Sequence, residues 1–287
     1  MAPPILREPL ERVEADRPCP LSGTREAVVV SARARDGTPL RTVINCASGL
    51  VYVDPIPMPD VRSFYAEEYR REYKASARPR TRRVLRAGAA SLARLARVLP
   101  HLVRAQQGAA APPRTLDIGA SSGEFVLLMQ ELGCRAVGCE PNVEFSRFAR
   151  EELGANVLTG MFDDVALEPG LFDLVTLFHV AEHMEDPRGT LVRLCALLRP
   201  GGLVVVEVPN ILTANMGFLR KWHRGHLFGF SRATLASLAE ACGIEVLELG
   251  ATGDDHNVWL VGRTRAGGGA GAGAGAAATG TERAGPA

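Results

Sequence analysis

The sequence predicts an α/β protein: a parallel sheet covered by helices on both faces, preceded by a small antiparallel β unit and a helical cap. Three observations predict it. From Arg114 to Arg263, short apolar runs alternate with helical periodicity, the pattern of a wound parallel sheet. The first of these runs ends in a turn of small residues, Gly119 to Gly123, that passes straight into a helix. Upstream, Ala27 to Val53 is patterned as strands around the turn signal Asp36-Gly37.

The chain has 287 residues, 46% apolar and 23% charged. That is an ordinary globular balance, with room for one α/β domain of about 150 residues and a smaller unit. A net charge of +1 creates no global field toward nucleic acid or anionic lipid, so neither nucleic acid nor membrane is an expected partner. Met1 to Pro20 carries Pro, Arg and Glu where a secretory signal needs an apolar run. No stretch approaches the ~20 apolar residues of a membrane span. The six cysteines (Cys19, Cys46, Cys134, Cys139, Cys195, Cys242) are scattered. The expectation is reduced thiols in a cytoplasmic monomer or homodimer.

In chain order, residues 1–18 read as a flexible N-terminus and 19–58 as the small β unit. Residues 59–108 read as the helical cap. There Phe64, Tyr65, Tyr69 and Tyr73 recur at about one helical turn, and Thr81 to Arg104 repeats Val84, Leu85, Leu92, Leu95 and Val98 on an Arg-rich background. Arg78, Arg80, Arg82, Arg83 and Arg86 read as a solvated helix face, or as a contact for an anionic substrate or nucleic acid. Ala109 to Pro113 is a linker. Residues 113–263 form the main domain. Its strands are expected at Thr115–Gly119, Arg135–Glu140, Asn156–Thr159, Leu174–His179, Leu203–Val208, Ile244–Leu249 and Asn257–Val261. Helices are expected at Gly123–Leu132, Val143–Leu153, Pro187–Leu198 and Ser231–Cys242. Residues 264–287 are almost all Gly and Ala, a disordered tail with too few side chains to bury.

The chemistry starts at Leu116-Asp117-Ile118-Gly119-Ala120-Ser121-Ser122-Gly123-Glu124-Phe125. A Cβ at Gly119 or Gly123 would obstruct a ligand lying against this backbone. A dinucleotide fingerprint needs Gly-x-Gly-x-x-Gly to seat a pyrophosphate. Here the spacing is Gly-x-x-x-Gly, and Asp117 two residues earlier suits a cationic ligand. Glu140 ends the next strand, 21 residues after Gly119, near the offset at which an acid takes both ribose hydroxyls. Each feature alone is also what a simple turn looks like. As an ordered set they describe an adenosine site.

Residues 114 to 263 resemble a class I S-adenosylmethionine-dependent methyltransferase. Leu116 to Gly123 resembles the family's acid-x-Gly-x-Gly-x-Gly motif, with Ser121 in place of the middle glycine, and Glu140 resembles its ribose-binding acid. Gly160-Met161-Phe162-Asp163-Asp164 is similar to the segment beside the adenine, and Phe172 through His183 to the fourth strand and its loop. Leu198-Arg199-Pro200-Gly201-Gly202 resembles the turn before the fifth strand. The resemblance implies a Rossmann-like seven-stranded sheet in the order 3-2-1-4-5-7-6 with strand 7 antiparallel, and S-adenosyl-L-methionine as cofactor. It implies contacts from Asp117, Gly119, Ala120, Ser121, Gly123, Glu140, Pro141, Asn142, Phe162, Asp163, Phe178 and the cap residue Tyr69.

After the fourth strand, His179, Glu182 and His183 spell H-x-x-E-H, elsewhere a zinc-peptidase signature. A strand runs directly into it and Pro187 follows, so no helix long enough to align both imidazoles is expected. Some ubiquinone-pathway O-methyltransferases place a divalent metal at this step, but His179 replaces one acidic ligand, and no metal is expected. Instead, His179 is expected to border the methionine moiety, and His183 or His226 to help deprotonate the acceptor. Hydrogen-bonded loop histidines are the structural alternative. Asn210 to Phe230, with Trp222, His223, His226, Phe228 and Phe230, is expected to wall the acceptor pocket or to pack as a lid. Cys19-Pro20-Leu21-Ser22 and Asn45-Cys46-Ala47-Ser48 resemble a zinc-ribbon leader in which serines stand at cysteine positions, so a metal-free remnant is expected. The resulting expectation is an enzyme that methylates a small molecule, with O-methylation favoured. The alternatives are a methyltransferase of RNA or protein, a catalytically silent cofactor-binding partner, or, disfavoured by glycine spacing, a nicotinamide oxidoreductase.

Overall fold

The structure, a computed structural model, describes residues 11–69, 78–215, 217 and 221–265. Tyr73 and the expected disordered tail from Ala266 onward lie outside them.

The main sheet comprises β5 (Arg114–Ile118), β6 (Arg135–Glu140), β7 (Val157–Thr159), β8 (Phe172–Phe178), β9 (Leu198–Pro209), β11 (Ile244–Ala251) and β12 (Asn257–Thr264). Its order is β11-β12-β9-β8-β5-β6-β7, which in strand rank is the expected 3-2-1-4-5-7-6 read in reverse. Only β12 runs against its neighbours in the sheet centre, pairing antiparallel with both β9 and β11. Alternation sorts the strand residues between two cores. Val204, Val206 and Val208 join Leu116, Ile118, Val175 and Leu177 on one face. Leu203 and Val205 join Leu174 and Val261 on the other, with Phe125, Val126 and Met129.

Helices α1 (Val61–Ser63), α2 (Thr81–Ala105), α3 (Glu124–Glu131), α4 (Val143–Glu151), α5 (Pro187–Leu197) and α6 (Arg232–Ala241) cover the sheet and cap it. α1 continues as a π-helical segment, Phe64–Glu68. Local chemistry starts them: Asn142 and Asp186 accept from the backbone N–H groups of Phe145 and Gly189. Ser231 and Thr234 form a capping box. Thr81 to Ala105 is a single helix whose buried Val98 and Leu102 rest on the α3 side of the sheet. Among the described residues no helix is long and apolar enough to cross a membrane.

The small β unit holds β1 (Arg12–Glu14), β2 (Glu26–Arg33), β3 (Pro39–Asn45) and β4 (Val51–Val53), all antiparallel. Its last strand is β10 (Phe228–Gly229), contributed by the segment after β9 and paired to Tyr52 and Val51. The N-terminal unit, expected as a small β unit of its own, is therefore joined to the main domain through a shared sheet. Trp222 is buried against it with Ala34, Leu40, Val51 and Val53. Arg17 reinforces the seam: its guanidinium lies over the Tyr52 and Phe228 rings and donates to the Val53 and Glu185 carbonyls. At the positions of the zinc-ribbon resemblance, Cys19 Sγ lies 3.1 Å from Ser48 Oγ, Ser22 Oγ donates to Asn45 Oδ1, and Cys46 is exposed.

Candidate functional site

A cavity of about 350 Å³ opens at the carboxyl ends of β5, β6 and β8. This is where open parallel sheets place ligands, because the helices that follow the strands leave a crevice there. Of the residues singled out from the sequence, Tyr69, Gly119, Glu140, Pro141, Phe162, Asp163, His179 and His183 line it. Tyr65 of the cap and Met161 of the adenine-side segment line it as well, as do Arg62 and Met184, to which the sequence alone gave no role.

Glu140 is buried at the end of β6, its carboxylate accepting from the N–H groups of Ser121 and Asn142 at 2.9 and 3.0 Å. Two backbone donors from two different turns therefore lock one acid at the cavity wall. Ser121 and Asn142 act behind Glu140 and are not cavity-lining residues, and Asn142 also donates from its amide to the Ala66 carbonyl. Ser121 adopts φ +54° to make its contact, which explains why a glycine is comfortable there.

Several expected contacts point elsewhere. Asp117 accepts from the Thr176 hydroxyl at 2.6 Å on the neighbouring strand, and it faces the α3 side of the sheet. Burial pushes its carboxyl up to about 7 despite that bond. Gly119 and Gly123 are bare for packing: a Cβ at Gly119 would sit 2.6 Å from Val180 Cγ2, and one at Gly123 2.7 Å from Ala155 Cβ. Ala120 is buried in that same α3-side core. Phe178 packs edge-on against Phe125, under the Arg94 guanidinium, away from the cavity. Asp117, Ala120 and Phe178 depart from expectation for one reason: strand alternation and the tight β5 turn aim their side chains into the protein, whereas Gly119 lines the cavity and Gly123 does not.

The histidines form a linked set. His179, at φ +59°, places Nδ1 3.5 Å from Glu182 Oε1 and Nε2 3.6 Å from Glu207 Oε1. Burial opposes its charge, but the two carboxylates outweigh it and raise its pKa to about 9. His179 is therefore an imidazolium at neutral pH and holds its proton, rather than acting as a base. Glu207 in turn is paired with Arg94 and Arg97 of α2 at 2.7 and 2.8 Å. Burial works against its charge too, yet His179 and Arg94 depress its pKa to about 2. Nothing in the sequence signalled this Arg–Glu–His chain, since its members lie on a helix and two strand ends.

His183 lines the cavity beside Tyr65 and Tyr69, both ring centroids 5.0 Å away. Its Nδ1 is hydrogen-bonded to the Gly225 carbonyl, which also accepts from the Tyr65 hydroxyl. Its Nε2 lies 3.7 Å from Glu182 Oε1. His226 sits behind it, its ring tilted against that of His223 with centroids 4.0 Å apart, and does not line the cavity. Glu182, His183 and His226 bring their ligand atoms within 4.8 Å of one another, the described group with the spacing of a metal site.

Comparison with known proteins agrees with this architecture. A methyltransferase domain family model matches residues 68–249. The C-methyltransferase NovU of Streptomyces niveus is 30% identical over 152 residues, 51% of this chain and 36% of that enzyme. A ubiquinone biosynthesis O-methyltransferase of Thiobacillus denitrificans is 30% identical over 161 residues, 50% of this chain and 68% of that enzyme. Other ubiquinone biosynthesis O-methyltransferases match over 41% to 43% of their length, so the chain spans well under two thirds of most of these relatives. In fold, the chain superposes on magnesium protoporphyrin IX methyltransferase from Synechocystis at a TM-score of 0.53, 14% identity, covering 71% of this chain and 98% of that one. With the sheet order, the cavity at the strand ends and the family match over residues 68–249 in agreement, the chain belongs to the methyltransferase domain family, in the class I fold that uses S-adenosylmethionine.

Proposed function

We propose that this protein methylates a small molecule from S-adenosylmethionine, with an oxygen as the favoured acceptor. The observation that carries the reading is Glu140, a buried acid held by two backbone donors at the wall of a cavity on the carboxyl edge of the sheet. An acceptor-only carboxylate there suits a ribose diol. Pro141, Phe162 and Asp163 would flank the adenine, and Tyr69, Gly119 and His179 the methionine end. The residues present thus fit the cofactor. When bound, it supplies a methyl group on a sulfonium, an activated leaving group.

The chain's own part is alignment and proton handling. Tyr65, Tyr69 and Met184 shape the acceptor side and exclude water, so that approach in line supplies much of the rate. The Gly225 carbonyl holds the His183 proton on Nδ1 and leaves Nε2 to take the acceptor's proton. Glu182, 3.7 Å away, stabilises the imidazolium that results. His179 keeps its proton and sets a positive charge beside the acceptor oxygen. His226 supports His183 from behind and is a positioning residue in this scheme. The O-methyltransferase relatives favour oxygen over carbon or nitrogen, and the near-neutral chain favours a small acceptor over RNA or protein.

The test is calorimetry with S-adenosylhomocysteine, followed by turnover with a panel of phenolic and enolic acceptors at low and high salt. Micromolar binding and salt-independent O-methylated product are expected. Failure to bind overturns the reading, and binding without turnover on any acceptor assigns the chain as a silent partner protein.

A further inference from the structure

Helix α2 is buried on one side only. Ser91, Val98 and Leu102 face the α3 side of the sheet, while Arg94 and Arg97 reach Glu207. On the opposite side Leu85, Leu92 and Val103 are 70%, 56% and 57% exposed. At about 100° per residue these three, with exposed Ala89 and Ala96 and half-buried Leu99, fall on one stripe running the length of the helix. Exposed Arg82, Arg86 and Arg104 lie along one edge of that stripe. No acidic residue occurs anywhere between Tyr73 and Leu116.

We propose that this outer face of α2 docks the protein on an anionic lipid surface. Charge selects the occupant. A second copy of the same face would set arginine against arginine with no carboxylate on either helix. Nucleic acid would engage the arginines and leave the leucines in water. An interfacial helix uses both, with the apolar stripe at the acyl boundary and the arginines among headgroup phosphates. The position suits the task as well. Arg78, just before the helix, lies 3.7 Å from Glu144, three residues beyond Pro141 of the cavity wall. Docking along α2 therefore brings the cavity mouth to the surface, where an acceptor with an apolar tail would reside. The proposal stands on the helix and does not depend on the assignment of the site.

The experiment is co-sedimentation of the full chain with vesicles of phosphatidylcholine alone or mixed with phosphatidylglycerol, at low and high salt. Binding is expected only to the mixed vesicles, and to weaken with salt. Arg82→Glu with Arg86→Glu should lower partitioning by about fivefold or more per arginine. Leu85→Asp with Leu92→Asp should abolish it with the circular dichroism spectrum and Tm unchanged, since both side chains are exposed. Absence of binding to anionic vesicles, or binding that survives the leucine variant, overturns the proposal. A dimer in light scattering that the leucine variant dissociates also overturns it and assigns the face to a second copy. Retention on nucleic acid in place of vesicles assigns it there.

Discussion

His179 and Glu207 end neighbouring parallel strands and are joined twice: the His179 N–H donates to the Glu207 carbonyl at 2.8 Å, and their side chains meet at 3.6 Å. The pair couples the cavity to helix α2, because Arg94 and Arg97 hold the other side of the same carboxylate.

A pH signature follows from this pair. The His179 pKa rises from 6.5 to about 9 on folding, so its contribution to stability is full below pH 6.5 and is lost as pH rises through 9. Glu207 falls from 4.5 to about 2, so its contribution is present above pH 4.5 and is lost toward pH 2. Buried Asp117, raised from 3.8 to about 7, gives up its contribution earlier, as pH rises from 3.8 through 7. In the ligand-free protein Tm is expected to be highest near pH 4.5 and to decline from there toward 9, with Asp117 carrying the loss up to pH 7 and His179 the loss beyond 6.5. In His179→Gln the alkaline limb should flatten; a wild-type Tm flat from 6.5 to 9 would show that the histidine is not held as a cation.

Removing the Glu140 carboxylate should cost the cofactor its diol contact. Glu140→Ala is expected to weaken S-adenosylhomocysteine binding at least tenfold, about 1.4 kcal/mol, by calorimetry. Unchanged affinity would remove Glu140 from the site.

Gly123 and Ser121 share the left-handed region, at φ +86° and +54°, with opposite consequences. Gly123→Ala adds backbone strain and drives a methyl into Ala155 and Ala149, at 2.7 and 2.9 Å. It should lower stability by roughly 3 kcal/mol in urea unfolding. Ser121→Gly relieves strain at an entropic cost, so a change within about 1 kcal/mol is expected.

Trp222 links the loop after β9 to the small sheet. Trp222→Ala should cost about 3 to 5 kcal/mol of stability, as large core truncations do. At a temperature where the variant is folded, the acceptor KM should rise while S-adenosylhomocysteine affinity holds. Equal loss of both would mean that the loop supports the cofactor side instead.

Glu182 lies between His179 and His183, two groups that hold its pKa down although burial works against its charge. With that charge already balanced, dialysis against a chelator is expected to leave turnover intact. Loss of activity restored by a divalent cation would make Glu182, His183 and His226 ligands.

By itself the sequence determined the alternation that makes the sheet, the small-residue turn and the acid at the end of β6. These are legible because periodicity and turn chemistry act over a few residues, whatever surrounds them. Only the tertiary structure decided which acids face the cavity. Asp117 and Glu140 look alike in sequence, yet one meets Thr176 and the other lines the cavity, because strand alternation and register assign the faces. The Arg94–Glu207 pair and the β4–β10 pairing join residues more than 80 positions apart, and His179 meets Glu207 from the neighbouring strand; such contacts exist only once the sheet order has set the distances.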